Sequence, residues 1–303
     1  MKIGFGIPVS GAWATPENLT HIAQRAEDLG YHSLWTYQRL LSPVDAAWGE
    51  MYRSVLDPVV SLAYVAARTS RIRLGVAVIN MPFIAPVVIA KQLATLDIVS
   101  GGRVDAGFGN GWSDEEFAAT GATKQGQGRR ADEFLSLLKA LWTDEIVEHA
   151  GEFYQVPRMR LDPKPVQRPH PPLLLGAVAP AALRRAGRLC DGWVSRSRAD
   201  LRKIGESVAV ISAAAEQAGR DPRTLRFVCR GVVRRRPAGG DERAPLTGTP
   251  DQIRSDIEDL AEQGITEVFF DLNFDPQVGS PDAAAAESMR RAGEVLDALG
   301  PQH

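Results

Sequence analysis

The chain is poor in the residues that build metal centres, disulfide frameworks and nucleic-acid surfaces. Its two cysteines, Cys190 and Cys229, stand far apart with no CxxC or disulfide-type spacing, so reduced thiols are expected. Five histidines (His21, His32, His149, His170 and His303) form no HxxxH or HxH pair, and no protein-ligated metal is expected. A net charge of −2 and a pI near 6.2 leave no basic field for a phosphate backbone. The short cluster Arg234-Arg235-Arg236 reads as a solvated strand end, and no nucleic-acid partner is expected. No run of about eighteen apolar residues marks a membrane span. Met1-Lys2-Ile3-Gly4-Phe5 opens directly into a strand-like segment rather than a secretory leader, so the expectation is a cytoplasmic protein without a membrane partner.

Low-complexity linkers are absent too, and α/β barrels reach 303 residues as one unit, so residues 1–303 are expected to form a single domain. With 44% hydrophobic and 24% charged residues, the chain can bury a large core. Short β-rich runs alternate eight times with longer amphipathic stretches, the pattern of βα units around a parallel sheet. Strands are predicted over 2–8, 33–37, 72–79, 104–108, 173–176, 192–195, 225–233 and 267–272. Helices are predicted over 17–29, 58–69, 86–98, 130–141, 181–189, 201–218, 250–263 and 283–299. Thr15-Pro16-Glu17 and Thr249-Pro250-Asp251 supply cap-then-proline starts, and Gly30, Gly219 and Gly264 fall where helices stop. A doubly wound sheet has the same alternation, but the first βα turn lacks GxGxxG and the next strand lacks an acidic end. The fold class is therefore α/β, a (β/α)₈ TIM barrel. Residues 144–172 exceed a standard connection and read as a lid or packed excursion: a small hairpin, then an extended return to the fifth strand.

The segment LGVAVINMPFIAPVVIAKQLATLDIVSGGRVDAGFGNGW from Leu74 to Trp112 resembles the luciferase-like monooxygenase superfamily, in particular the deazaflavin (coenzyme F420)-dependent oxidoreductases of actinobacteria. Gly30-Tyr31-His32-Ser33-Leu34-Trp35, PLLLGAVAPAALRRAGRLCDGW, TGTPDQIRSDIEDLAEQGI and EVFFDL extend the resemblance over nearly the whole chain. Backbone N–H groups at glycine-rich strand ends and helix N-termini suit the phosphate of a nucleotide-like cofactor. Gly107-Phe108-Gly109-Asn110-Gly111 and Gly176-Ala177-Val178-Ala179-Pro180-Ala181 are such places, both on the C-terminal face of the expected barrel.

The resemblance implies a ring system across the barrel mouth, beside a non-proline cis peptide falling at Ala77-Val78, with Asn80 at the ring or ribityl chain. It further implies cofactor contacts from Asn110, Gly111 and Glu115, and phosphate contacts from Gly176, Ala177, Val178, Pro180 and Ala181. Ser195 and Arg196 become candidates for phosphate or substrate. Coenzyme F420 is the implied cofactor, with FMN as the alternative.

In many deazaflavin-using relatives the second strand ends in an Asp-His pair that contacts cofactor and donates a proton; here Gln38 and Arg39 stand there. Glutamine is no general acid and arginine is effectively never deprotonated. Trp112 replaces the glutamate of the family's sugar-phosphate dehydrogenases, which argues against that activity. What remains is Arg39 as an anion or enolate partner, Gln38 and Tyr37 as hydrogen-bonding walls, and aromatic walls from Trp13, Trp48, Phe83 and Trp112. Asp57 before Pro58 reads as a helix cap. The expected activity is hydride transfer between coenzyme F420 and a small organic substrate. The alternatives are an FMN-dependent monooxygenase supplied by a flavin reductase, and a barrel that binds flavin or deazaflavin without turnover. By analogy with relatives the chain is expected to form a homodimer. The substrate-determining loops are expected at 10–15, 42–55, 144–172 and 273–281.

Overall fold

The computed structural model describes residues 1–45, 48–238, 240 and 242–301; Ala46 and Ala47 of the 42–55 loop, and His303, lie outside the described residues. The chain begins β1 (Lys2–Gly6), α1 (Pro16–Asp28), β2 (Ser33–Thr36), α2 (Pro58–Ala66), β3 (Arg73–Val76), the two-residue β4 (Ile79–Asn80), α3 (Pro86–Val99) and β5 (Val104–Gly109). There follow α4 (Asp114–Thr120), α5 (Gln127–Thr143), β6 (Val147–Ala150), β7 (Gln155–Met159), β8 (Leu173–Gly176), α6 (Pro180–Leu189), β9 (Gly192–Val194) and α7 (Ile204–Gln217). The last part is β10 (Arg226–Gly231), β11 (Arg234–Arg235), β12 (Thr247–Gly248), α8 (Pro250–Glu262), β13 (Glu267–Phe270), α9 (Pro276–Gly279) and α10 (Ala285–Leu299).

Parallel pairing runs β1-β2-β3-β5-β8-β9-β10-β13, and β13 returns to β1 through Lys2 opposite Glu267, closing an eight-stranded TIM barrel. Local signals set the helix starts. Thr15 accepts from the Asn18 N–H ahead of Pro16, and Thr249 and Gln252 cap one another reciprocally at α8. Asp57 caps α2 by accepting from the Val60 N–H, as its position before Pro58 implies.

Two-residue alternation divides the strand side chains between an outer and an inner face. The outer set, with Phe5, Leu34, Leu74, Phe108 and Phe270, packs under the helices. The inner apolar set is small: Trp35, Ala77, Leu174, Val194, Val228 and Phe269, with Trp35 stacked on Phe269 at 5.0 Å. Below it lies a layer of ions. Arg226 donates to Asp105 at 2.6 Å and to Glu267 at 2.7 Å, Arg73 donates to Asp105 at 2.5 Å, and Ser33 donates to Glu267 at 2.6 Å. Burial alone pushes the Asp105 carboxyl up, but the Arg226 and Arg73 guanidinia outweigh it and hold the group below its ordinary value.

The expected third strand, 72–79, is interrupted. β3 ends at Val76, the Ala77–Val78 peptide is cis at the position the resemblance implies, and pairing resumes at β4. Helix α4 is an addition to the expected elements, capped by Ser113 and opened by Asp114, Glu115 and Glu116. Within 144–172, β6 and β7 form the expected hairpin, strapped to the outside of α5. Glu133 accepts from the Phe153 and Tyr154 N–H groups and pairs with His149. The extended return is held by buried Asp97, which accepts from the N–H groups of Val166 and Gln167. The arginine run 234–236 is paired rather than free: Arg235 with Glu294, and Arg236 with Asp275. Among the described residues no helix is long and apolar enough to cross a membrane.

Candidate active site

The C-terminal ends of the barrel strands surround a cavity of about 580 Å³. Ala77, Val78 and Val194 supply apolar wall, and Val78 explains two of the glycines. A Cβ at Gly109 would stand 2.5 Å from Val78 Cγ2, and one at Gly176 would stand 2.9 Å from Val78 Cγ1. These glycines make room for Val78. Gly111 has φ +69°, and a Cβ there would press on the Phe83 ring at 3.0 Å.

Tyr37, Gln38, Arg39, Asn80, Asn110, Gly111, Trp112, Gly176, Ala177, Val178, Ser195 and Arg196, all singled out from sequence, do line this cavity together with Ala77 and Val78. Glu115 does not. It is exposed, and its carboxylate accepts from Ser113 Oγ at 2.8 Å. Pro180 and Ala181 lie just beyond the lining, at the start of α6, whose neighbours Ala179 and Ala182 reach it. No side chain caps the first turn of α6. Two expected aromatic walls fall elsewhere: Trp13 is fully buried in the core, and Phe83 packs edge-on against Phe117 at 5.0 Å. Of the loops expected to meet substrate, 42–55 supplies Trp48 and Tyr52 and 273–281 supplies Phe274; no lining residue comes from 10–15 or 144–172.

Most of the side chains expected to do chemistry already have partners. Arg39 Nη1 donates to Glu116 at 2.6 Å, with only 5% and 1% of the two side chains exposed. Three rings close around the guanidinium, with centroids at 4.6 Å (Trp112), 5.0 Å (Tyr52) and 5.1 Å (Trp48). Glu116 also accepts from the N–H groups of Leu40 and Leu41. Arg39 is thus the centre of a rim latch joining the 39–53 loop to α4. The Tyr37 hydroxyl donates to the Met51 carbonyl, and burial pushes its phenol far above the usual range. Gln38 Oε1 accepts from the Asn80 N–H at 2.9 Å. Ser195 Oγ accepts from the Arg230 N–H. Trp112, 52% exposed, stands at the rim edge-on to Trp48.

Arg230, Arg198, Tyr52 and Phe274 also line the cavity, and Glu116 stands behind it; motif spacing points to none of them. A signal for Arg230 exists. Arg226 and Arg230 stand four apart in β10, Glu267 and Asp271 stand four apart along and just past β13, and the two strands pair in parallel. Matched opposite charges at even spacing on adjacent strands mark ion pairs inside a barrel. Among the described residues the lining carries four arginines and no Asp, Glu, His, Lys or Cys.

Residues 4–237 match the luciferase-like monooxygenase family, and the chain belongs to it. The F420-dependent hydroxymycolic acid dehydrogenase of Mycobacterium tuberculosis is 30% identical over 226 residues, 73% of this chain and 60% of that protein. The FMNH2-dependent dimethylsulfone monooxygenase of Pseudomonas putida is 36% identical over 137 residues, 44% of this chain and 37% of that protein. Among solved structures, monooxygenase RslO1 from Streptomyces bottropensis superposes with a TM-score of 0.81 at 25% identity, over 99% of this chain and 98% of that one. The protein is a luciferase-like oxidoreductase.

Proposed function

We propose that the protein transfers hydride between coenzyme F420 and a small organic substrate, with the cofactor ring across the barrel mouth. One observation carries this reading: a cavity of redox-cofactor size at the strand ends whose lining offers amide, guanidinium and phenol groups but no carboxylate, imidazole, amine or thiol, so that the redox chemistry falls to a bound cofactor. The donor set suits the group. Gln38, Asn80 and Asn110 offer amides to a carbonyl-rich ring, and Val78 and Ala77 offer an apolar face. Arg196, Arg198 and the uncapped start of α6 suit a phosphate. The relative from M. tuberculosis, F420-dependent by name, supports the choice of cofactor. When bound, the deazaflavin accepts or gives the hydride. The chain's own residues orient the ring, exclude water and, through Trp48, Tyr52 and Trp112, wall the space left for substrate.

A second reading, FMN-dependent oxygenation fed by a partner reductase, is supported by the relative from Pseudomonas putida, an FMNH2-dependent monooxygenase by name. Titration of the purified protein with FMN and with coenzyme F420, followed by fluorescence quenching and absorbance, separates the two. Tight binding of FMN alone removes the hydride-transfer reading, whereas F420 alone removes the oxygenase.

A further inference from the structure

Arg230, at the end of β10, reaches across the barrel mouth towards the end of β3. Its Nε donates to Asp271 Oδ2 at 2.6 Å and its Nη1 to the Ala77 carbonyl at 3.1 Å. The guanidinium lies by the rings of Tyr37 and Phe274, at 4.6 and 4.4 Å from their centroids. Nη2 is buried and has no partner, although the residue is only 8% exposed and lines the cavity. A buried donor without an acceptor costs free energy comparable to a lost hydrogen bond, and Nη2 is the one nitrogen of this guanidinium left without an acceptor. Asp271 does not reach the cavity lining, and its other oxygen is taken by Asn273. The cation therefore faces the cavity with its carboxylate behind it, and no carboxylate of the lining opposes it.

We propose that Arg230 is the counter-charge for a reduced cofactor ring, its Nη2 donating to the pyrimidine edge where negative charge gathers on reduction. The proposal rests on the reading that a flavin or deazaflavin fills the cavity, but not on which of the two. Two-electron reduction adds a hydride to the ring, supplied by the substrate or by a reduced nicotinamide. The electron pair displaced into the pyrimidine dione leaves its nitrogen and oxygen edge anionic. A guanidinium donor at that edge binds the reduced form more tightly than the oxidised one and raises the reduction potential in proportion. For a two-electron couple, a tenfold preference corresponds to about 30 mV.

The test compares the whole protein with Arg230→Met and Arg230→Lys, using FMN and coenzyme F420 as probes. Affinities are measured for the oxidised and for the chemically reduced forms, and the bound potential by dye equilibration. Arg230→Met is expected to change oxidised-form affinity by less than about threefold and to weaken the reduced form by about tenfold or more, lowering the potential by about 30 mV. Arg230→Lys recovers most of the difference. Equal weakening of both forms, or none, overturns the proposal. If Arg230→Met fails to fold around an unpaired Asp271, Arg230→Met combined with Asp271→Asn removes both charges and is expected to give the same shift. Wild-type protein that binds FMN but not F420 overturns hydride transfer from F420 and leaves the Arg230 comparison to be read on FMN. Wild-type protein that binds neither overturns both.

Discussion

The rim latch offers a measurable quantity. Glu116→Gln keeps an acceptor for the Leu40 and Leu41 N–H groups while removing the charge that faces Arg39, so the loss reports the ion pair. Taking one partner from a buried pair costs about 3–5 kcal/mol, because the other charge is left uncompensated. Here the three rings remain around the guanidinium, each contributing roughly 0.5–2 kcal/mol of cation–π attraction, which sets the expectation at the lower end, about 3 kcal/mol. At roughly 1.6 °C per kcal/mol for a chain of 303 residues, Tm should fall by about 5 °C in a calorimetric scan. Arg39→Met is the complementary single variant. The double variant should recover much of the loss, since no buried charge is then unpaired. A Glu116→Gln protein melting within about 1 °C of wild type, or a double variant that loses the sum of the singles, refutes the latch.

Three further outcomes are expected. Gly109→Ala sets a Cβ 2.5 Å from Val78 Cγ2 and should push that side chain into the cavity, weakening cofactor affinity in a fluorescence titration while circular dichroism stays unchanged. Asp105 titrates below its ordinary 3.8 in the fold, so its pairing stabilises above that pH and the benefit is lost as pH falls through the depressed folded value. Asp105→Asn should therefore be markedly less stable than wild type at pH 7 in urea unfolding, and the gap should narrow as the pH is lowered through the depressed folded value of Asp105. Cys190 and Cys229 are buried with thiols pushed up to about 12, chiefly by burial; neither should react with a disulfide reagent at pH 8 until the chain is unfolded, when both should.

The eight barrel strands are visible in the sequence because parallel strands buried on both faces leave short apolar runs between capped helices. Strand ends are less so: 72–79 has one continuous pattern, yet the chain turns at Ala77–Val78 and Ala77 donates its N–H to the Thr36 carbonyl. Helix α4 was there to be seen in Ser113-Asp114-Glu115-Glu116, an N-cap with acids in the first turn, hidden by its seven-residue length. At the site, residues fixed by strand-end geometry, such as Asn80, Asn110, Gly176 and Ser195, were legible. The partner of Arg39 was not: Glu116 lies 77 positions away, a separation that only the tertiary fold brings to 2.6 Å. Asp271, 41 positions from Arg230, was signalled only by the matched even spacing of charges on the neighbouring strands β10 and β13. The same blindness made Arg39 look available to substrate.

Along β10, Arg226 and Arg230 are four residues apart, about 13 Å of strand. The lower arginine belongs to the polar layer that ties five strands together, and the upper one lines the cavity, with Val228 of the apolar belt between them. That separation gives the barrel two independent ends for evolution to act on. Substitutions around the mouth can retune what is bound there without loosening the plug at the base, so a mutational library confined to the lining should yield many folded variants with altered ligand preference.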